Sequence, residues 1–317
     1  MVYNVINLQK GGRQVTVYDL KTMQQTEIDG KSVVALGDFD GCHIGHAGVF
    51  QNAFYTAKRQ GAKSVAYIFS SGKESKRCIF TLEEKIKAIR HTGIDLVAID
   101  DFDRVKNMSG EEFAKTVLMG ELGAISASCG YNYRFGAGAS CNAEDLRTFF
   151  ENAGGSVQIC PKIDYDGVAV SSSLIREYVE KGMVEALLPI SQPYSIYAQV
   201  VKGKGLGKKM GIATINQYLP KGKVMPKKGV YITDCEIGED VYPCVTNVGA
   251  RPTTDGEGGE INIETHIIGF DKDLYFSSVR VNFYKYIREE KRFSSLEELI
   301  SQIERDIDTA KEYLSYR

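Results

Sequence analysis

The spacing of apolar residues changes near Leu187–Gln192, and this change constrains the fold of the 317-residue chain more than any other feature. Before it, short apolar runs alternate with segments in which apolar residues recur at helical spacing. After it, apolar and polar residues alternate, and Gly, Pro and Asp separate the alternating runs. The first pattern is typical of parallel strands linked by helices, and the second of antiparallel strands. We therefore predict two domains, residues 1–186 and 187–317.

The expected elements follow from these two periods. In the first domain we predict strands at Ser32–Leu36, Ser64–Phe69, Leu96–Ile99, Ala124–Ser128 and Val157–Cys160, and helices at His46–Arg59, from Thr81, at Gly110–Met119 and at Ala143–Asn152. In the second we predict strands at Tyr194–Val201, Val230–Glu236, Val241–Val248, Ile261–Ile268 and Val279–Tyr286, and one amphipathic helix at Ser295–Leu314.

Charge and cysteine usage narrow the class of protein. Lys plus Arg is 39 against 41 for Asp plus Glu, so the net charge of −2 gives no reason to expect a nucleic-acid or membrane partner. The seven cysteines are scattered and never form C-x-x-C, which argues against a disulfide framework or a structural zinc site. No leader-like start or membrane-length apolar run is present. We expect a cytoplasmic protein.

The turn after the first long strand carries two histidines in an H-x-G-H arrangement, within Gly37–His46. In an open parallel sheet, ligands bind at the carboxyl ends of the strands, and the next helix offers free N–H groups to phosphate. His43 and His46 can face one anion while the glycine lets the backbone approach closely. The pattern indicates a phosphate-binding turn; a glycine-rich turn with incidental histidines is the alternative.

Ser171–Arg176 follows a strand-like segment and opens a helix. Its serine hydroxyls can cap the helix and bond phosphate oxygens, and Arg176 can present its guanidinium to the same group. Alone it is more often a helix cap, but with the H-x-G-H turn it resembles the nucleotidylyltransferase superfamily. Those enzymes stabilise an in-line displacement at the α-phosphate without a covalent intermediate. The aromatic turn Gly130–Gly136, taken alone, indicates only a packed loop.

The second domain opens with a basic stretch. Lys202–Lys228 contains eight lysines and no acidic residue, and glycines interrupt it. A solvated basic face is the ordinary interpretation, but Thr214 and Asn216 add a hydroxyl and an amide oxygen of the kind that bind magnesium. Glu264, on an alternating strand, could accept a proton from a substrate hydroxyl or simply face solvent.

Together these residues resemble the bacterial bifunctional riboflavin kinase and FMN adenylyltransferase family over nearly the whole chain. The motifs that carry the resemblance are Gly37–Gly41, His43 with His46, Gly130–Gly136, Ser171–Arg176, Gly203, Gly207, Gly211, Thr214, Asn216, Asn247–Thr253, Glu264, Asp273–Tyr275, Arg288–Glu289 and Phe293.

The resemblance implies an N-terminal Rossmann-like nucleotidylyltransferase domain and a C-terminal six-stranded antiparallel Greek-key barrel with a final helix. The barrel would phosphorylate riboflavin with ATP to give FMN and ADP, and the first domain would join FMN to AMP from ATP to give FAD. Glu264 would be the kinase base, and Thr214 with Asn216 would help hold Mg²⁺ and the nucleotide. His43, His46 and Arg176 would contact the ATP phosphates during adenylyl transfer. The other binding residues implied are Gly37, Phe39, Asp40, Gly41, Asn132, Ser171, Ser172, Ser173, Gly203, Gly207, Gly211, Arg251, Thr253 and Arg288.

The chain departs from the family pattern at several positions. The usual Phe-x-Pro-His-Pro element is Phe69–Lys73, without proline or histidine, and Asp38 and Ser173 stand where the family has Asn and Thr. In the kinase motif the usual Gly-Phe-Pro-Thr-Ala-Asn is Gly211–Asn216, which keeps both polar ligands but loses the proline. Phe276 replaces a glycine. Two alternatives follow: a riboflavin kinase with a degenerate first domain, and a non-catalytic flavin- or nucleotide-binding regulator.

Overall fold

The structure is a computed structural model that describes residues 16–20, 30–71, 77–203, 212–250 and 261–315. By their contacts, residues group into two compact units: Met1–Ser75 with Phe80–Ser172, and Lys76–Ile79 with Ser173–Arg317. Along the chain the main change between units comes at Ser172–Ser173. The domain limit at residue 186 remains a prediction.

The first unit is built on a six-stranded sheet in which every pairing is parallel. Its strands are β1 (Thr16–Asp19), β2 (Ser32–Leu36), β3 (Lys63–Ser71), β4 (Leu96–Asp101), β5 (Ala124–Gly130) and β8 (Ser156–Cys160). Their order in the sheet is β1-β4-β3-β2-β5-β8. Two short pairs lie outside this sheet: β6 (Arg134–Phe135) with β7 (Cys141–Asn142), and β9 (Asp164–Tyr165) with β10 (Val168–Ala169).

Helices connect these strands, as the sequence predicts. They are α1 (Ile44–Gln60), α2 (Leu82–Arg90), α3 (Phe102–Val105), α4 (Gly110–Glu112, continued by a π-helix at Phe113–Glu121), α5 (Ala143–Asn152) and the 3-10 turn Ala137–Ala139. Helix α6 (Ser172–Lys181) and the 3-10 turn Val184–Leu187 follow the last of these strands, and all of their residues except Ser172 belong to the second unit.

The centre of this sheet is buried on both faces. All five residues of β2 are buried, and one apolar cluster lies on each side of the sheet. Helix α2 begins where expected: Thr81 accepts from the backbone of Glu84, whose carboxylate accepts from the backbone of Thr81, completing a capping box. The predicted Rossmann-like parallel sheet is confirmed.

The strand order fixes where a ligand can bind. From β2 the chain proceeds outward through β3 and β4 on one side, and later through β5 and β8 on the other. The carboxyl ends of β2 and β5 therefore flank the point where the order reverses, which is the usual ligand crevice of such sheets. The H-x-G-H turn follows β2 and the Gly130–Gly136 turn begins at the end of β5, so both lie at this edge.

The second unit is a six-stranded antiparallel sheet followed by a helix. Its elements are β11 (Tyr194–Gln199), β12 (Thr214–Tyr218), β13 (Gly229–Ile237), β14 (Asp240–Ala250), β15 (Ile261–Ile267), β16 (Ser278–Arg288) and the helix α7 (Leu296–Ser315). The strands lie in the order β11-β16-β13-β14-β15-β12. The two edges of the sheet meet at a bridge in which the N–H of Val201 donates to the carbonyl of Asn216 at 2.8 Å, so the sheet curls into a barrel.

The barrel has a filled interior and one covered outer face. Tyr194, Tyr231 and Phe283 are wholly buried, and Phe283 contacts each of the two tyrosines edge to face. On the outside, Ala310 of α7 belongs to an apolar cluster with Val230 of β13 and its neighbours. The predicted barrel with a C-terminal helix is confirmed.

Candidate active sites

The two histidines of the first unit form one stacked pair. His43 is the N-cap of α1, and its Nδ1 accepts from the backbone N–H of His46 at 3.4 Å. The two rings stack with centroids 3.7 Å apart and planes 17° from parallel. A Cβ on Gly45 would lie 3.1 Å from the His43 ring, so the intervening glycine leaves room for this arrangement. The predicted convergence of both histidines at a helix N-terminus is present.

Phe39 packs against the histidine pair. It is wholly buried, contacts the His46 ring edge to face at 5.3 Å, and packs on Phe50 of α1. Its φ of 51° lies in the left-handed region, which is strained for an aromatic residue. A Cβ on Gly37 would come within 2.9 Å of the Phe39 ring. The turn is therefore shaped around this ring, and the predicted binding role of Phe39 remains a prediction.

Burial keeps both imidazoles neutral. Desolvation lowers the pKa of His43 to about 4, against the opposing effect of Asp40. Desolvation, followed by the neighbouring His43, holds the pKa of His46 well below its ordinary value. Among the described residues, the buried Nδ1 of His46 has no hydrogen-bond partner. An unsatisfied ring nitrogen at a helix N-terminus suits a polar ligand such as phosphate.

Asp40 accepts hydrogen bonds from two other segments of the chain. The hydroxyl of Ser172, the first residue of α6, donates to the Asp40 carbonyl at 2.7 Å. The N–H of Phe80 donates to the Asp40 carboxylate at 2.9 Å. Asp40 and Gly41, whose φ is 84°, thus shape the turn. Ser171 lies beside Ser172, and Ser173 is exposed.

Asn132 and Arg176 have different surroundings. Asn132 is exposed in the turn that follows β5, and its Oδ1 would lie 3.3 Å from a Cβ on Gly130. Arg176 stands one turn into α6, and its Nε donates to the carbonyl of Arg77 at 2.7 Å. Their roles toward ATP and FMN remain predictions.

In the second unit, three predicted residues meet on the outer face of two adjacent strands. The Thr214 hydroxyl donates to the Glu264 carboxylate at 2.8 Å, and Asn216 lies directly opposite Glu264 in the register of β12 and β15. All three are half-buried. A Cβ at position 203 would lie only 2.4 Å from the Asn216 amide, so only glycine leaves room for that side chain. The cluster offers a hydroxyl, an amide and a carboxylate.

Three polar residues beside this cluster were given no site role from the sequence, although Asn247 begins one of the motifs that carry the resemblance. Asn262 donates to Oδ1 of Asn216 at 3.1 Å. Asn247, opposite Glu264 on β14, donates to Glu290 at 3.1 Å. The alternation of β14 and β15 could have placed Asn247 and Asn262 on the Glu264 face, but nothing local marks Glu290.

Other predicted residues lie elsewhere or outside the described ranges. Arg288 makes a bidentate ion pair with Asp306 of α7, with Nη2 2.7 Å from Oδ2, so its guanidinium anchors the final helix. Its assignment to nucleotide binding remains a prediction. Four calls fall outside the described residues: Gly207, Gly211, Arg251 and Thr253.

The described residues lack a recognisable metal cluster and a membrane-spanning helix. They contain no group of three or more His, Cys, Asp or Glu side chains placed to hold a metal ion. No helix among them has the length and apolar character needed to cross a membrane.

Comparisons with known proteins cover both units. A family model described as FAD synthetase matches residues 25–174, and one described as riboflavin kinase matches residues 190–314. The bifunctional riboflavin kinase/FMN adenylyltransferase of Bacillus subtilis is 30% identical over 300 residues, covering 91% of this chain and 94% of the relative. The protein of the same name from Escherichia coli K12 is 31% identical over 294 residues, covering 89% and 92%.

One solved structure agrees over nearly the whole chain. It is described as a macrolide-efflux protein from Streptococcus pneumoniae, with a TM-score of 0.82 and 26% identity, covering 93% of this chain and 98% of that one. The two chains share their fold.

Proposed function

The chain belongs to the bifunctional riboflavin kinase/FMN adenylyltransferase family, and on that premise we propose that it converts riboflavin to FMN and FMN to FAD, with ATP as co-substrate in both steps. The observation that carries the proposal is the hydrogen bond between Thr214 and Glu264, residues of two motifs 50 positions apart that the fold brings together. The stacked His43 and His46 supply the corresponding observation in the first unit.

In the kinase step, the terminal ribityl hydroxyl of riboflavin attacks the γ-phosphorus of ATP. A new O–P bond forms, the bond to the β-γ bridging oxygen breaks, and ADP leaves. Glu264 accepts the hydroxyl proton, and Thr214 holds the Glu264 carboxylate in place through its hydrogen bond. Positioning and charge neutralisation account for most of the catalysis of such transfers.

We propose Mg²⁺ as the metal of this step. The hydroxyl of Thr214 and the amide oxygen of Asn216 are hard oxygen donors, and magnesium typically takes few protein ligands when it binds with nucleotide phosphates. Bound there, it would neutralise phosphate charge. Gly203 and Asn262 would keep the Asn216 amide in place through the contacts described above.

In the adenylyl step, a phosphate oxygen of FMN attacks the α-phosphorus of ATP, and pyrophosphate leaves. His43 and His46 are neutral in the free protein, so each can donate one N–H to a phosphate oxygen. The N-terminus of α1 adds its free N–H groups and the positive end of its dipole. Ser171, which directly precedes α6, would add its hydroxyl to the same phosphate, and the roles of Ser173 and Arg176 remain predictions.

The departures from the family pattern bear on the alternatives. β3 extends through Ser71, and the Ser70 hydroxyl donates to the Asp100 carbonyl at 3.2 Å; Gly72 and Lys73 lie outside the described residues. The comparisons match family models of both activities, so they favour neither the kinase-only chain nor the non-catalytic regulator.

We also place the enzyme in the cytoplasm, because its seven cysteines are all free thiols.

The test is a product assay on the purified full chain. It is incubated with MgATP and riboflavin, and separately with MgATP and FMN, and the flavins are separated by chromatography. We expect FMN from the first mixture, followed by FAD, and FAD from the second. FMN without FAD would leave only the kinase, and neither product would overturn both activities.

A further inference from the structure

A nearly buried lysine lies against the phosphate-binding turn. Lys85 of α2 is 9% exposed, and its ammonium donates to the backbone carbonyl of Asp38 at 2.7 Å. The same nitrogen lies 3.5 Å from the Asp38 carboxylate. Burial of an ammonium group is costly unless an opposite charge or hydrogen bonds compensate it. The contact with Asp38 supplies that compensation.

Lys85 occupies a position that helical spacing would assign to an apolar residue. It lies between Leu82 and Ile89 on the face that also carries Ile86, which belongs to the apolar core. Lysine is rarely buried in such a place without a specific partner. Here the partner is Asp38, at a position where the family that the chain resembles has a neutral asparagine.

The pair lies within electrostatic reach of the histidines. Asp38 raises the pKa of His46 and Lys85 lowers it, although desolvation by burial and the neighbouring His43 have the larger effects. Lys85 likewise lowers the pKa of Cys42, in the same turn, against the dominant effect of burial. Both charges therefore act on the position where a polyphosphate would bind.

An uncompensated carboxylate at this position would repel ATP. A nucleoside triphosphate carries several negative charges, and like charges a few ångströms apart repel one another; the Asp38 side chain is 41% exposed, so solvent screens part of this repulsion. With the Lys85 ammonium beside it, the Asp38 carboxylate adds little net charge to the turn.

We infer that Lys85 is an electrostatic positioning residue of the adenylyltransferase site: it cancels the charge of Asp38 and so lets the H-x-G-H turn bind the ATP polyphosphate. The inference rests on the proposed function. A purely structural role differs in one respect. It would act through the backbone carbonyl at position 38, which every residue has, whereas charge cancellation requires the carboxylate.

A double-mutant cycle separates the two roles. Lys85→Met, Asp38→Asn and the double variant are compared with the wild type by their KM for MgATP in FAD formation from FMN. We expect Lys85→Met to raise KM about tenfold with a smaller change in kcat, and Asp38→Asn to restore the double variant to within about twofold of wild type. A double variant as impaired as Lys85→Met would overturn the inference.

Two control variants test whether the effect is specific to this site and to the charge. Lys63 is exposed at the first residue of β3, at the end of that strand away from the site. Lys63→Met should therefore leave KM unchanged. A rise in KM equal to that of Lys85→Met would contradict a site-specific effect. Lys85→Arg keeps the charge and should stay within about threefold of wild type; a tenfold loss would count against the inference. If Lys85→Met does not fold by circular dichroism, Lys85→Gln, which still has an N–H donor, takes its place.

A binding measurement keeps this inference separate from the proposed activity. The chain has four histidines, so the imidazole NMR signals of His43 and His46 can be followed one by one as MgATP is added. If the wild type forms no FAD, the proposed adenylyltransferase activity fails, and the same cycle is then measured as ATP affinity at these signals. In that measurement too, Asp38→Asn must restore the ATP affinity that Lys85→Met loses. No shift in the wild type, or no rescue, would overturn the role of Lys85.

Discussion

His43 and His46 show how single residues set the properties of this site. Their rings are stacked and desolvated, so both are uncharged in the free protein. A turn without permanent cationic histidines binds phosphate through N–H donors and the helix dipole. Its response to acid then follows from the depressed pKa values.

We predict that acid weakens the first unit through His43. The pKa of His43 is about 4 in the folded protein and 6.5 ordinarily, so between these values the unfolded chain binds the additional proton. Stability is therefore complete above pH 6.5 and is lost as pH falls toward 4, by up to about 3 kcal/mol. His43→Asn, which keeps an N-cap acceptor, should show a smaller loss.

The measurement is urea unfolding of wild type and His43→Asn at several pH values across this range. Carboxylates contribute equally to both proteins, so the difference between the two curves isolates the histidine. Parallel curves would mean that His43 is not desolvated as described.

Some individual site residues could be predicted from the sequence, and others could not. The H-x-G-H spacing and the Thr214, Asn216 and Glu264 motifs predicted residues that the structure brings together. Lys85 stayed hidden because its partner, Asp38, is 47 positions away and only tertiary structure joins them.

Secondary-structure elements were predictable where their own apolar spacing determines them. Helix α5 has its predicted bounds, Ala143–Asn152, because its apolar stripe and its Asn142 cap are both local. Strand β12 was not predicted. Its one buried residue is Gln217, which faces inward and donates to the carbonyls of Ala198 and Val279, so no apolar alternation marks the strand. The predicted helix at Gly110–Met119 continues instead as a π-helix from Phe113.

We predict that α7 depends on one ion pair. Asp306 is 3% exposed and receives the Arg288 guanidinium from β16. Asp306→Asn leaves that guanidinium nearly buried without its counter-charge, so the free energy of unfolding should fall by about 3 kcal/mol. Chemical denaturation of the full chain measures it, with Asp308→Asn, on the same helix, as control. Equal stability of both variants would contradict the anchoring role of Arg288.

At the scale of the whole molecule, a near-neutral chain contains two units of different architecture, each with its own polar cluster. The overall charge of −2 hides the lysine-rich stretch Lys202–Lys228, part of which lies outside the described residues. Length and the change in apolar spacing sufficed to predict two folds. By their contacts the units change over at Ser172–Ser173, within α6, where the helical spacing is continuous, and the domain limit at residue 186 remains a prediction.

If one chain carries two separate active sites, a substitution in either site should abolish one activity and spare the other. Glu264→Gln should form no FMN from riboflavin, while still making FAD from added FMN at the wild-type rate. His46→Ala should form FMN normally but little FAD, and a mixture of the two variants should convert riboflavin through to FAD. Loss of both activities in either folded variant, or full FMN formation by Glu264→Gln, would show that the chain does not have these two separate sites.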